Sequence, residues 1–247
     1  MNLTESIIAA RQRGDVPVIA EIKRVIPKLA AQLGQDDRDA ALLARCYEKG
    51  GAAGISLVTE PVHFGGQPEK DIPAVLRSTP LPLLIKDFIT DQARVDFYRS
   101  LVSAVDPACP GRVTLLLIAH MAGGRLPELL KYVRRQGMSA LVETRGIEDL
   151  PLVRGLEPLP RLVGFNNKNI DELEIGDDKL RLGQDVLFRY RQVVGDALIV
   201  SESAHRDAAD VRRSIAAGAD AVLVGTAFLL SGDPARTVAD FVRCGVE

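Results

Sequence analysis

The chain has 247 residues, 47% of them hydrophobic, which is enough to bury one sizeable core, and 31 basic against 33 acidic side chains leave a formal net charge of −2. That balance excludes a broad electrostatic grip on nucleic acid, although one phosphate needs only local positive potential. The cysteines are too few and scattered for a disulfide framework or a cysteine-built metal site, the first residues do not read as a signal peptide, and no apolar run approaches the ~20 residues of a membrane helix, so a soluble cytoplasmic protein is expected.

In chain order, short and nearly continuous apolar runs predict strands over residues 18–23, 54–59, 83–86, 112–118, 140–143, 162–166, 197–202 and 221–225. Most are β-branched or leucine-rich and do not alternate cleanly with polar residues, the pattern of parallel strands covered on both faces. Helix signals lie between them. Asp36 and Asp37 precede an amphipathic run over 38–49 that stops at Gly50 and Gly51. Asp91 heads a segment in which Val95, Tyr98 and Val102 share a face, the run 205–217 ends at Gly218, and Asp233 stands before a first-turn Pro234. Eight strand–helix units with no dinucleotide fingerprint, linker or low-complexity stretch predict an α/β fold, a single (β/α)8 TIM barrel over 1–247, with a short segment over 1–17 before the first strand.

Chemistry in such a barrel sits where the strands finish. Strand one delivers Glu21 and Lys23, two residues apart and therefore on one side. Strand three delivers Lys86 and Asp87, strand five Glu143, strand six Asn166 and Asn167, strand seven Ser201, Glu202 and Ser203, and strand eight Gly225 and Thr226. Each alone would serve as a solvated strand end. Together, two lysines and three glutamates beside apolar runs are costly to bury unless they pair or titrate. A lysine in such a cluster can donate a proton, and a neighbouring carboxylate can accept one. The loops after strands seven and eight are where such barrels hold a phosphate; Gly225 would let backbone N–H groups approach it, although VGT is also an ordinary turn. His63, His120 and His205 lack metal-ligand spacing and are expected in loops or at the surface.

The stretches VIAEIKR (18–24), YEKGGAAGISLVTEPVHFGG (47–66), PLLIKDFI (82–89), LVETRG (141–146), VGFNNKNI (163–170), SES (201–203) and ADAVLVGTAFL (219–229) resemble the indole-3-glycerol phosphate synthase family, barrel carboxy-lyases of tryptophan biosynthesis, from about Val18 onward. The resemblance implies ring closure, decarboxylation and dehydration of 1-(2-carboxyphenylamino)-1-deoxyribulose 5-phosphate by acid–base chemistry, with no metal or cofactor. It implies Lys86 as general acid at ring closure, Glu143 as a carboxylate of the dehydration, and Lys23 as a bridge between substrate carboxylate and ketone and a further proton donor. Glu21, Asn166 and Glu202 would hold the lysines and sugar hydroxyls, and Ser203, Ala204, Gly225 and Thr226 would lie at the phosphate. Pro27, Phe64, Phe88, Leu115 and Leu117 are candidates for the aryl pocket, residue types that serve equally as plain core.

Four departures from the family pattern bear on the substrate. Its Ser-Pro-Ser run is replaced by VIPK over 25–28, where Lys28 is expected to supply a charge in place of the hydroxyls. SESG reads SESA, which carries a steric cost if Ala204 lies at positive φ. NxRD reads NNKN over 166–169, altering an ion pair near strand six, and residues 1–17 are fewer than the family carries there, implying a thinner cover over the substrate. A related lyase or cyclase acting on another phosphorylated aryl-amine or amino-sugar adduct fits the same residues. So does a catalytically silent phosphate-ligand barrel, against which the joint retention of Lys23, Lys86 and Glu143 argues. The implied partner is a phosphorylated small molecule, not nucleic acid or membrane, and the oligomeric state stays open between a monomer and a weak homodimer.

Overall fold

The computed structural model describes residues 1–168, 170–172 and 179–245. Parallel strands β1 (Val18–Ile22), β2 (Gly54–Val58), β3 (Leu83–Lys86), β4 (Val113–Ile118), β5 (Ser139–Thr144), β6 (Leu162–Asn166), β7 (Leu198–Glu202) and β8 (Ala221–Val224) pair in chain order. The register Val18↔Val222 between β1 and β8 closes the barrel. A helix follows each strand, as at Ala40–Lys49 after β1, Gln92–Val105 after β3 and Ala208–Ala217 after β7. No helix among the described residues is long and apolar enough to cross a membrane.

Side chains alternate along each strand between two cores. Val18, Ala20, Ile22, Ile55, Leu57, Leu115 and Leu117 face outward beneath the helices, together with Val95, Tyr98 and Val102. Ile19, Leu84, Leu116, Leu141, Val200 and Leu223 fill the lumen. The strands are therefore apolar on both faces, which is why they read as continuous runs.

Three expectations about boundaries are corrected. Asp39, not Asp36 or Asp37, caps the helix after β1, accepting from the Ala41 N–H at 2.7 Å. Asp36 is instead occupied by Arg38, whose Nη2 lies 2.8 Å from Oδ2. The helix after β7 begins at Ala208 under an Asp207 cap, leaving His205 outside it. Residues 1–17 provide no cover at the mouth. They form a helix, Leu3–Gln12, whose Leu3 and Ile7 join the lumen core, and whose Ser6 Oγ donates to the Ala53 carbonyl just before β2. This helix plugs the end of the barrel at which the strands start, opposite the strand ends that carry the charged residues.

Candidate active site

Odd-numbered strands contribute one layer of the lumen, a general property of eight-stranded barrels. Here that layer consists of Glu21 from β1, Lys86 from β3, Glu143 from β5 and Glu202 from β7, all at most 8% exposed. Lys86 Nζ sits among the three carboxylates, 3.1 Å from Glu202 Oε2, 3.6 Å from Glu21 Oε2 and 3.8 Å from Glu143 Oε2. Lys23, immediately beyond β1, places its Nζ 3.0 Å from Glu21 Oε1 and 5.3 Å from the centre of the Phe64 ring. Ser56 Oγ donates to Glu21 Oε2 at 3.3 Å.

Three carboxylates face two ammonium groups, which leaves one surplus negative charge in a dry space. Burial pushes the Glu202 carboxyl well above its ordinary range; Lys86 pulls the other way, and the charge of Glu143 reinforces the rise. Glycines make the room: a Cβ on Gly164 would come within 1.9 Å of Glu202 Oε1, and one on Gly225 within 2.7 Å of Glu21 Oε1. Space for Glu21 is thus the geometric reason for glycine at 225, where φ is an ordinary −125°.

Two lobes of one cleft meet at Lys23. The first lobe is lined by Lys23, Phe64, Lys86, Phe88 and Glu143, with Leu116, Ile118 and Ile170 completing an apolar wall. The second, of about 130 Å³, is lined by Glu21, Lys23, Lys168, Ser203, Ala204, Gly225 and Thr226, among others. The structure thus brings Lys23, Lys86 and Glu143 into a single cavity.

Several candidates lie elsewhere. Leu115 and Leu117 point into the outer core, and period-two alternation gives the aryl-facing wall to Leu116 and Ile118 instead. Pro27 opens a short 3-10 turn, Pro27–Leu29, and Lys28 is exposed on it; neither lines a lobe of the cleft. Asn166 is fully buried. Its Oδ1 accepts from the Lys168 N–H at 3.0 Å, and its Nδ2, buried as well, has no hydrogen-bond partner among the described residues. Asn167 instead ties β6 to β7, donating to the Glu202 carbonyl at 2.8 Å. Ser203 and Ala204 lie at φ 65° and 64°, so the alanine carries the left-handed strain that a glycine would avoid. Asn169 lies outside the described residues.

The sequence reading missed several contributors. Lys168, buried at 8% exposure, adds a cation to the second lobe. Glu60 accepts from the N–H groups of Val62, His63 and Phe64 at 2.9, 2.7 and 3.1 Å, folding the loop that sets Phe64 beneath Lys23. Arg24 is buried against Asp71, with Nη2 2.7 Å from Oδ1. His205 is buried rather than superficial, with Nε2 2.9 Å from Ser214 Oγ, and burial lowers its pKa to about 4. His120 is also mostly buried, near Asp149 and Asp171. A charged or polar residue two positions from a strand end was the available signal for Lys168 and His120.

Comparison with known proteins adds independent findings. The family model described as indole-3-glycerol phosphate synthase matches residues 1–241. The chain is 37% identical to the indole-3-glycerol phosphate synthase of Deinococcus radiodurans over 87% of its own length and 74% of that protein's. It is 38% identical to that of Kineococcus radiotolerans, covering 96% and 80%, and 31% identical to that of Pyrococcus furiosus, covering 96% of each. Among solved structures, an N-acetylmannosamine-6-phosphate 2-epimerase from Clostridium perfringens superposes with a TM-score of 0.57 at 14% identity, over 85% of this chain and 86% of that one, a likeness of fold alone.

Proposed function

The chain belongs to the indole-3-glycerol phosphate synthase family, and from that premise we propose how its residues divide the work of this carboxy-lyase reaction of tryptophan biosynthesis. The substrate is the phosphorylated 1-(2-carboxyphenylamino)-1-deoxyribulose. Its ring carbon bearing the carboxylate attacks the sugar ketone, carbon dioxide leaves, and loss of water restores aromaticity.

The aromatic end occupies the first lobe, against Phe64, Phe88, Leu116 and Ile118, and the phosphate occupies the second, beside Ser203, Ala204, Gly225, Thr226 and Lys168. Lys23, the residue common to both lobes, holds the substrate carboxylate and the ketone together. Lys86 gives its proton to the ketone oxygen as the new carbon–carbon bond forms. That oxygen is then a hydroxyl; after carbon dioxide leaves, it takes a second proton from Lys23 and departs as water, while Glu143 receives the proton released from the adjacent CH2 carbon of the new five-membered ring, the former C1 of the sugar. Glu21 and Glu202 orient the lysines, and the Asn166 amide is available to a sugar hydroxyl. The single observation that carries the assignment is the contact of one lysine ammonium, Lys86, with three carboxylates inside the cleft.

We place the reaction in the cytoplasm. The three cysteines are free thiols, the state a reducing compartment maintains, which supports that location. The test is incubation with the anthranilate–deoxyribulose phosphate while following indole fluorescence, with Lys86→Met in parallel. Signal from the unmodified protein and its loss in the variant are expected. Silence from the unmodified protein would turn the assignment toward another phosphorylated aryl-amine adduct.

A further inference from the structure

The loops after β4, β5 and β6 converge on one carboxylate. His120 Nε2 lies 2.8 Å from Asp171 Oδ1, and Arg145 Nη1 lies 3.1 Å from Oδ2, so both oxygens are taken. Arg145 is itself fixed: its Nη2 is 2.8 Å from Asp149 Oδ1, and its backbone N–H donates to Asp149 Oδ2 at 2.9 Å. His120 Nδ1 is 3.8 Å from that same oxygen. Arg181 adds a further tie, donating from Nη2 to the Arg145 carbonyl at 2.5 Å. His120 holds the Asp171 carboxyl below its ordinary range, with Arg145 adding to the effect.

Three members of this cluster stand next to the wall of the aryl lobe. His120 follows Ile118 by two residues, Arg145 follows Glu143 by two, and Asp171 adjoins Ile170; Ile118, Glu143 and Ile170 all line that lobe. We propose that His120 and Arg145 clasp Asp171 to fix Ile118 and Ile170 against the aromatic end of the substrate, making His120, Arg145 and Asp171 positioning residues. This rests on the assignment of the first lobe to the aryl group. No strand pairing runs through the clasp, so its loss should loosen the mouth and leave the barrel intact. A solitary exposed ion pair would have little such power. This one is a network of two carboxylates, an arginine and an imidazole, and the Asp149 side chain in it is only 2% exposed.

The test compares His120→Ala and His120→Gln with the unmodified protein. For His120→Ala, KM should rise about tenfold with kcat within about twofold, the signature of lost substrate binding without loss of chemistry. Affinity for inorganic phosphate should not change, and amide hydrogen exchange over 170–172 should accelerate. His120→Gln, which keeps a side-chain polar group able to reach Asp171, should recover most of the KM. An unchanged KM, or a parallel loss of phosphate affinity, would overturn the clasp. If the unmodified protein shows no turnover, it is the proposed substrate that fails. Exchange then decides the clasp alone: unaltered protection at 170–172 in His120→Ala rejects it.

Discussion

Lys86 and Glu202 meet across the full width of the barrel, four strands apart, with Nζ donating to Oε2 at 3.1 Å. Neither residue is near the other in sequence, and each ends a strand that begins with three apolar residues, Leu83–Ile85 and Leu198–Val200. The contact is a consequence of closure: a layer built from alternate strands forces four side chains toward one axis. In this layer all four carry ionisable groups, and the pairing of Lys86 with three carboxylates offsets a desolvation cost that none could bear alone.

Burial of Glu202 makes the stability of the barrel pH-dependent. Its folded-state pKa lies above the ordinary 4.5, because burial disfavours the charge. Above that value the folded protein binds more protons than the unfolded chain, so stability from this group is fully present below 4.5 and is lost as pH rises through the folded value. Glu202→Gln, a neutral isostere, should remove this term and flatten the decline of unfolding free energy on the alkaline side of pH 4.5. Urea titrations at a series of pH values measure it, and identical pH dependence for the two proteins would contradict the upward shift of the Glu202 carboxyl.

His205 gives the opposite slope. Burial lowers its folded pKa from 6.5 to about 4, so between those values the unfolded chain holds the extra proton. Stability should fall as pH drops through this window, by about 1.4 kcal/mol per unit. His205→Gln should lose that acid-side slope while remaining folded at neutral pH. A variant with the same acid profile as the unmodified protein would mean that the imidazole titrates freely.

Much of this arrangement was legible from residues alone. Apolar runs gave eight strands, and Glu21, Lys23, Lys86, Glu143 and Glu202 stood out because charges beside buried strands need partners. What was not legible was which way each side chain turned. Leu115 and Leu116 are equally apolar, and only the register, Leu115↔Ala140 and Leu116↔Leu141 between β4 and β5, assigns one to the outer core and the other to the lumen. His205 is a second case: nothing local distinguishes a surface imidazole from one enclosed by Ser201 and Ser214, which approach only after the helix Ala208–Ala217 packs down. The segment before β1 is the third, since its amphipathic helix could have met either end of the barrel.

That register difference separates two otherwise similar substitutions. Leu115→Ala should cost about 2–5 kcal/mol of stability through a core cavity and leave KM unaltered. Leu116→Ala removes methyl groups from the aryl lobe and should raise KM about tenfold, the scale on which a hydrophobic pocket responds to a lost methylene or two. Thermal unfolding and steady-state kinetics on the pair decide the matter. Equal KM values for the two variants would place the aromatic ring elsewhere.

Gly164 and Glu202 supply the most direct check on the packing of the charged layer. Gly164 faces the lumen from β6, and a methyl group there would stand 1.9 Å from Glu202 Oε1 and 2.9 Å from Leu141 Cδ2. The β6 backbone is held on both sides by β5 and β7, so Gly164→Ala must push the Glu202 side chain away from Lys86. Overpacking of this kind costs about 1–3 kcal/mol, and kcat should fall as the ammonium loses its closest partner. The cause can be isolated with a double-mutant cycle. In a Glu202→Ala background the obstructing carboxylate is gone, and Gly164→Ala should then be nearly neutral, giving a coupling of about 1–3 kcal/mol between the two sites. Additive costs would show that the glycine serves the β6 backbone or Leu141 instead, and that Glu202 is free to lie where the added methyl group does not reach.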